Sequence, residues 1–279
     1  MCDFYFPYYG SKRKEYPHIR GMVDEFLRGR EDAIFVEPFC GSCAVSLKVS
    51  REWSETFPGL VFHVNDANRY FVRILREIKE RGTSAHLFDY TNTKNETITR
   101  EAFIAGAILD KKQEATVLDQ FYYAKCYEIR KYEFGRGTMV GKVKKHSRAH
   151  RMADAFFAGA LITHADYKKI LEQYHDNPDA CLFLDPPYLD SCNVSYTGYG
   201  AKQRGEIVDN TAMYIEALRF FESCRCRFIM IINANAINRH LYGRWIKAEY
   251  KKTYSGTGMG KAGNRSTSHL VISNIGCPL

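Results

Sequence analysis

Residues 180–188, with the sequence ACLFLDPPY, place a short apolar run directly before an acidic residue, two prolines and a tyrosine. Such a run, stopped by prolines, predicts a buried β-strand that ends at Leu184. Similar runs occupy residues 33–37 (AIFVE), 60–66 (LVFHVND), 227–232 (RFIMII) and 269–274 (HLVISN). Helix-like stretches alternate with these runs. The pattern predicts an α/β fold with a mainly parallel, buried sheet.

The tetrapeptide Asp185-Pro186-Pro187-Tyr188 follows its strand at the edge where open α/β sheets bind ligands. Two consecutive prolines remove two backbone N–H donors and leave carbonyl and carboxylate acceptors in a rigid turn. Tyr188 adds a flat aromatic face beside these acceptors. The arrangement favours a planar group with an amine, which donates to Asp185 and to the Pro186 carbonyl while Tyr188 stacks on the ring. An ordinary turn is the alternative interpretation, because Asp and Pro are common turn residues.

Two further strand ends carry residues suited to a ligand. Residues 36–44 (VEPFCGSCA) form a small-residue turn between a strand and a helix, which lets a ligand approach the backbone closely. Asp66 ends the second run, where an acid suits ribose hydroxyls, although a helix N-cap is equally natural there. Cys40 and Cys43 form a CxxC pair. No second pair follows at metal spacing, so we predict no metal site.

Composition excludes several classes of protein. The chain has 279 residues, of which 45% are hydrophobic and 26% charged, which is typical of a globular protein and not of a disordered or fibrous one. No apolar run approaches the ~20 residues of a membrane span, and the N-terminus lacks the apolar segment of a secretory signal. Nine scattered cysteines suit free thiols in a reducing compartment. We therefore expect a soluble, cytoplasmic protein.

Positive charge is concentrated in one stretch of the chain. Residues 125–151 hold nine Lys and Arg against two Glu, which accounts for nearly all of the formal net charge of +8. Aromatic residues and glycines lie between the basic ones, which favours a polyanion-binding surface over a merely solvated basic face. The candidates for nucleic-acid contact are Arg130, Lys131, Arg136, Lys142, Lys144, Lys145 and Arg148.

The basic stretch belongs to a longer region in which the strand–helix alternation disappears. We interpret residues 80–155 as an inserted, mostly helical domain, and residues 1–79 and 156–279 as one catalytic domain. A chain of this length accommodates a large core with an insertion.

Together and in this order, the motifs resemble those of the DNA N6-adenine methyltransferases of the Dam type. The matching stretches are residues 7–12 (PYYGSK), 36–47 (VEPFCGSCAVSL), 63–70 (HVNDANRY), 162–167 (ITHADY) and 185–188 (DPPY). Cys43 stands where the family usually has a second glycine, and His269 where an acid is common. The resemblance covers the chain end to end except for residues 80–155, which occupy the place of the family's target-recognition domain.

The resemblance implies a Rossmann-like, S-adenosylmethionine-dependent methyltransferase sheet with helices on both faces. It implies S-adenosylmethionine as cofactor and double-stranded DNA as partner, with methyl transfer to the exocyclic amine of a flipped adenine. The implied catalytic residues are Asp185, Pro186, Pro187 and Tyr188. The implied cofactor contacts are Tyr8, Tyr9, Lys12, Glu37, Pro38, Phe39, Gly41, Asp66, Asp166 and Asp185. A prokaryotic, phage or viral origin is expected.

Other functions stay open at this point. One alternative is a catalytically idle DNA-binding protein of the same fold. This alternative is favoured by Cys43 and His269, and the intact tetrapeptide and Lys12 argue against it. A methyltransferase acting on RNA adenine, on a protein amide or on cytosine N4 is another, because the chemistry of the amine is similar. In the family that the chain resembles, a tetrapeptide that begins with Asp is typical of the enzymes that act on adenine.

Overall fold

The computed structural model of the chain describes residues 12–83, 148–189, 210–254 and 265–276. Within these ranges one seven-stranded sheet forms the centre of the fold. In chain order its strands are β1 Ile34–Glu37, β2 Val61–Asn65, β3 Leu161–Thr163, β4 Ala180–Leu184, β5 Arg227–Asn233, β6 Ile246–Tyr254 and β7 Arg265–Ser273.

The strands lie in the order β3-β2-β1-β4-β5-β7-β6. The first five strands in this order pair in parallel, and β7 pairs antiparallel with both β5 and β6. The described helices are α1 Arg20–Leu27, α2 Ala44–Trp53, α3 Arg69–Arg81, α4 Arg148–Gly159, α5 Tyr167–Tyr174, α6 Thr211–Ser223 and α7 Ala236–Tyr242. Short 3₁₀ turns occupy Lys12–Lys14, Tyr16–His18 and Gly243–Trp245.

Both faces of the central strands are covered. All five residues of β4 are buried, as are the last six of β5, so side chains that point to either face lie in the interior. On one face, α5 and α6 pack against the sheet, and the rings of Phe221 and Phe228 stack 3.7 Å apart. The predicted α/β fold with a mainly parallel, buried sheet is confirmed.

Two strands depart from the apolar pattern. The three-residue strand β3 is too short to give a periodic signal. The edge strand β6 has the polar sequence IKAEYKKTY and a register shift between Ile246 and Ala248. Strand β7 begins at Arg265, four residues before the predicted run, because its first residues pair with β6 alone.

The described residues form two compact units. One comprises residues 12–72, 159–189, 210–254 and 265–276 and contains the whole sheet. The other comprises residues 73–83 and 148–158, where the N–H of Thr83 donates to Asp154 at 2.6 Å. The division into a catalytic domain and an inserted domain of residues 80–155 stays a prediction. None of the helices in these ranges is long and apolar enough to span a membrane.

Candidate active site

Three acidic residues lie at the carboxyl edge of adjacent parallel strands. Glu37 is the last residue of β1, Asp66 follows β2, and Asp185 follows β4. From β1 the chain continues to β2 on one side, whereas β4 and β5 lie on the other side. The order of the strands therefore reverses between β1 and β4, and such switch points are where open α/β sheets bind ligands.

The Asp185 carboxylate is paired with Lys12. The Nζ atom of Lys12 lies 2.6 Å from Oδ2 and 2.6 Å from Oδ1 of Asp185, and the Lys12 side chain is 5% exposed. Burial raises the pKa of Asp185 above its ordinary value, and the Lys12 ammonium opposes that increase. Among the neighbouring charges, Lys12 is thus the one that most favours the ionised form of this partly buried carboxyl group.

The turn that follows Asp185 is held through its last two carbonyls. Asn210 Nδ2 donates to the carbonyl of Tyr188 at 3.2 Å, and the hydroxyl of Tyr214 donates to that of Pro187 at 3.4 Å. None of the hydrogen bonds between described residues uses the carbonyl of Pro186. Asp185 and Pro186 therefore offer neighbouring acceptor atoms, as the sequence predicts.

The ring of Tyr188 contacts a cation and a histidine. Lys12 Nζ is 5.2 Å from the centroid of the Tyr188 ring. The ring of His269, from β7, meets Tyr188 at 5.5 Å with an interplanar angle of 74°. Burial lowers the pKa of His269 to about 4, with Lys12 and Lys252 adding to the effect, so this side chain is neutral at pH 7.

The turn after β1 uses two left-handed residues. Gly41 has φ 44°, and Cys43 has φ 53° and ψ 28°. Cys43 stands where the resembling family has glycine, and it adopts the conformation that glycine adopts most easily. Cys43 therefore carries backbone strain that a glycine would not.

Glu37 and Asp66 hold this turn through backbone donors. Glu37, 2% exposed, accepts from the N–H of Ser46 at 2.8 Å, and burial raises its pKa to about 8. Asp66 accepts from the N–H of Gly41 at 2.9 Å and from that of Asn68 at 2.8 Å. Burial raises the pKa of Asp66, and both N–H bonds oppose it. The bond to Asn68 closes the turn before α3, and the ribose contact of Asp66 stays a prediction.

Asn65 joins two of the loops, a role that the sequence analysis missed. Its Nδ2 donates to the carbonyls of Pro38 and Ala165, each at 3.0 Å. Its Oδ1 accepts from the N–H of Ala165 at 2.9 Å and from the hydroxyl of Thr163 at 2.8 Å. Asn65 therefore fixes the loop after β1 to the loop after β3. The only signal in the sequence is a polar residue at the end of a buried strand.

A chain of hydrogen bonds continues from Asn65 into the core. Thr163 Oγ1 is 2.8 Å from Nε2 of His63, and Nδ1 of His63 is 2.8 Å from the hydroxyl of Tyr174. Since Thr163 donates to Asn65, its oxygen accepts from Nε2–H, which leaves Nδ1 to accept from Tyr174. Burial lowers the pKa of His63 to about 4, so the neutral ring that this arrangement needs is favoured.

A small apolar crevice lies between these loops and the tetrapeptide. The rings of Phe39 and Tyr167 lie at one side of it, 5.2 Å apart. Tyr167 follows Asp166, whose exposed side chain caps α5 by accepting from the N–H of Lys168 at 2.9 Å. The other lining residues are Leu171, Leu184, Pro186, Met213, Tyr214, Ala217, Met230 and Tyr242.

Several predicted site residues lie outside the described ranges. Tyr8 and Tyr9 precede residue 12, and Arg130, Lys131, Arg136, Lys142, Lys144 and Lys145 fall between residues 83 and 148. Arg148 is the first residue of α4. Their roles stay predictions. In the part of the chain that the structure describes, no group of three or more His, Cys, Asp or Glu side chains is arranged to hold a metal ion.

The chain is similar to known methyltransferases over most of its length. A family model described as D12 class N6 adenine-specific DNA methyltransferase matches residues 8–255. The type II methyltransferase M.CviBI from Paramecium bursaria Chlorella virus NC1A is 26% identical over 270 residues, which cover 91% of this chain and 96% of that protein.

Solved structures give more distant likenesses. A class I S-adenosylmethionine-dependent methyltransferase (lmo1582) from Listeria monocytogenes aligns over 92% of this chain with a TM-score of 0.39 and 8% identity. The chain spans 59% of the length of that protein. The rRNA methyltransferase AviRa from Streptomyces viridochromogenes aligns over 96% of this chain and 86% of its own, with a TM-score of 0.36 and 12% identity.

Proposed function

The chain belongs to the D12 class of N6-adenine-specific DNA methyltransferases, and from this premise we propose that methyl transfer takes place at Asp185 and Pro186. DNA adenine methylation with S-adenosylmethionine, expected from the sequence, is confirmed by the family. The observation that carries the proposal is that two acceptors are adjacent in the chain. One is the Asp185 carboxylate, which is bound to Lys12, and the other is the Pro186 carbonyl. Tyr188 presents its ring beside both acceptors.

The chemical difficulty lies in the adenine amine, because its nitrogen lone pair is delocalised into the ring. Hydrogen bonds from the two amine hydrogens to Asp185 and to the Pro186 carbonyl localise that lone pair on nitrogen. The acceptors are fixed in advance by the proline turn, so catalysis here consists mainly of positioning and electrostatic stabilisation. An ionised Asp185 is required, because a protonated carboxyl group would donate where an acceptor is needed.

The carboxyl edge of β1 and β2 fits the cofactor. The partly exposed rings of Phe39 and Tyr167 offer apolar faces to a flat ring, and Asp66 retains acceptor capacity for ribose hydroxyls. Glu37 places a buried carboxyl group beside the same turn. When bound, S-adenosylmethionine supplies a sulfonium methyl group, whose bond to sulfur breaks as its bond to the amine nitrogen forms. One proton of the amine is then lost.

Double-stranded DNA is the proposed partner, bound through the basic stretch of residues 125–151. A paired adenine cannot reach a pocket at the sheet edge, so the base is flipped out at a cost of a few kcal/mol and stacks on Tyr188. The relative from a chlorella virus supports a viral, phage or prokaryotic origin for this chain. We also propose that the protein acts in the cytoplasm.

Nucleoside mass spectrometry on unmethylated duplex DNA tests the proposal. We expect N6-methyladenine with the wild-type chain and none with Asp185→Ala, while calorimetry shows that the variant still binds S-adenosylmethionine. The matched control is Asp176→Ala, which removes an exposed aspartate paired with His175 and should leave methylation unchanged. Methylation by Asp185→Ala at the wild-type rate would overturn the proposed role of Asp185.

A further inference from the structure

The segment that carries Lys12 is attached to strand β6 at two points. Glu15, 1% exposed, forms an ion pair with Nζ of Lys252. The ring of His18 stacks on Tyr250 with 3.8 Å between centroids and 11° between planes. The N–H of Glu15 also donates to the carbonyl of Lys12 at 3.1 Å. The position of Lys12 is therefore tied to residues of β6.

These contacts belong to a closed set that includes Lys12, the partner of Asp185. Tyr250 pairs with His269 across β6 and β7, and its hydroxyl lies 3.3 Å from Nδ1 of His269. His269 contacts the Tyr188 ring, which lies beside Lys12. Lys12 in turn contacts Asp185. A displacement of Lys12 would change its contacts with both Asp185 and the Tyr188 ring.

Charged side chains of both signs act on Asp185. Lys12 and Glu15 come from the N-terminal segment and Lys252 from β6. The Glu37 carboxyl group, from β1, is a further titratable neighbour, and its pKa of about 8 leaves it neutral at pH 7. Lys252 lowers the pKa of Asp185 and Glu15 raises it. Among the described residues, Oε2 of Glu15 has no hydrogen-bond partner, so the ion pair with Lys252 is the contact that balances this buried carboxylate.

We propose that Glu15 and Lys252 are positioning residues for methyl transfer, because their ion pair holds Lys12 against Asp185 in the geometry that keeps the catalytic carboxylate ionised. Neither residue belongs to the catalytic, cofactor or DNA sets expected from the sequence. The inference rests on the proposed function, in which the ionised Asp185 accepts from the adenine amine.

Glu15→Ala separates a positioning role from an effect of charge alone. If Glu15 acted only through its charge, its removal would lower the pKa of Asp185, and the acid limb of the pH–kcat profile would move to lower pH. If Glu15 holds Lys12 in place, its removal loosens Lys12, and the acid limb moves to higher pH. We expect the second result, with a shift of about one pH unit and a kcat about tenfold lower at pH values on that limb.

Lys252→Met should move the acid limb in the same direction as Glu15→Ala, and Lys252→Arg should restore the wild-type profile because arginine can pair with Glu15. The matched control is the exposed pair between Arg239 and Glu249, in which Glu249 lies on the same strand. Arg239→Met and Glu249→Gln should both give the wild-type profile. All profiles are measured as N6-methyladenine formed on unmethylated genomic DNA at saturating S-adenosylmethionine.

Circular dichroism melting establishes that each variant is folded, and Glu15→Gln replaces Glu15→Ala if the latter is not. An acid limb that is unchanged or moves to lower pH in the Glu15 variant would overturn the positioning role. That failure is distinct from failure of the proposed function, which would appear as methylation by Asp185→Ala.

Discussion

Lys12 and Asp185 are 173 positions apart in the sequence, yet Nζ of Lys12 lies 2.6 Å from each carboxylate oxygen of Asp185. The lysine also faces the ring of Tyr188. One ammonium group therefore acts on both the acceptor and the stacking surface that we assign to the adenine.

Replacement of Lys12 tests this pairing directly. In Lys12→Met the Asp185 carboxyl group keeps its burial and loses its counter-ion, so its pKa rises. We expect turnover at neutral pH to fall by at least about tenfold and to fall further as the pH is lowered. A pH–kcat profile measures the effect. Lys168→Met, which removes the exposed partner of Glu216, is the control, and a Lys12→Met profile parallel to the wild type would contradict the prediction.

Replacement of Asn65 tests the connection between the loops after β1 and β3, which we propose to bind the cofactor. Asn65→Asp keeps the shape of the side chain and removes both N–H donors to Pro38 and Ala165. We expect a loss of about 1–3 kcal/mol in the free energy of unfolding and weaker binding of S-adenosylmethionine. Urea denaturation and calorimetry measure these quantities. Asn177→Asp, at a local turn, should change neither, and unaltered cofactor affinity in Asn65→Asp would remove Asn65 from the site.

The buried histidine His63 gives stability a defined pH dependence. Its pKa is about 4 in the folded chain and about 6.5 when unfolded, so the unfolded state binds more protons between these values. The stabilising contribution is complete above pH 6.5 and is lost as the pH falls towards 4, by up to about 3 kcal/mol.

Glu37 gives the stability a pH dependence of the opposite sign. Its pKa of about 8 makes the folded state bind more protons than the unfolded state between pH 8 and 4.5, so stability increases as the pH falls through this range. The informative quantity is therefore the difference between wild type and His63→Gln in urea denaturation. That difference should shrink between pH 6.5 and 4, and a constant difference would show that His63 titrates normally in the folded chain.

The left-handed conformation of Cys43 predicts which residues the turn accepts. Cys43→Gly removes about 1 kcal/mol of backbone strain and also removes a buried thiol, so the free energy of unfolding should change by less than about 1 kcal/mol. Cys43→Val places a β-branched side chain in that conformation and should cost more than about 2 kcal/mol. Equal stabilities of the two variants by urea denaturation would rule out strain at this residue.

The basic stretch predicts a salt effect on DNA binding. If Lys142, Lys144 and Lys145 bind phosphates, their joint replacement by glutamine should weaken binding and reduce the slope of log K against log salt by about 0.9 for each phosphate that is no longer neutralised. Fluorescence anisotropy on a duplex at several salt concentrations measures this slope. The same slope in wild type and variant would place the DNA elsewhere.

Much of the fold follows from short apolar runs. Strands β1, β2, β4 and β5 are continuous apolar segments bounded by turn residues, and the tetrapeptide lies at the strand end where the sequence predicts it. Strand β6 escapes detection because an edge strand with Lys247, Glu249 and Lys251 on its exposed face has no apolar run to detect.

The partnerships within the site are harder to predict. Asp185 is recognisable from its own tetrapeptide, but its pairing with Lys12 depends on how distant segments come together in the folded unit. Asn65 shows the same limit, since an asparagine at a strand end commonly forms a turn, and only the order of the strands brings Ala165 within its reach. A functional motif made of neighbouring residues can be predicted from the sequence, whereas contacts between distant segments cannot.

The late position of strands β6 and β7 in the chain affects when the site can form during synthesis on the ribosome. A nascent chain made as far as residue 189 already holds Lys12 and the whole tetrapeptide, but it lacks Tyr250, Lys252 and His269. The contacts around the Asp185 carboxylate can form only after β6 and β7 have been made and have paired, and such long-range contacts form slowly. The site is therefore completed only late in synthesis.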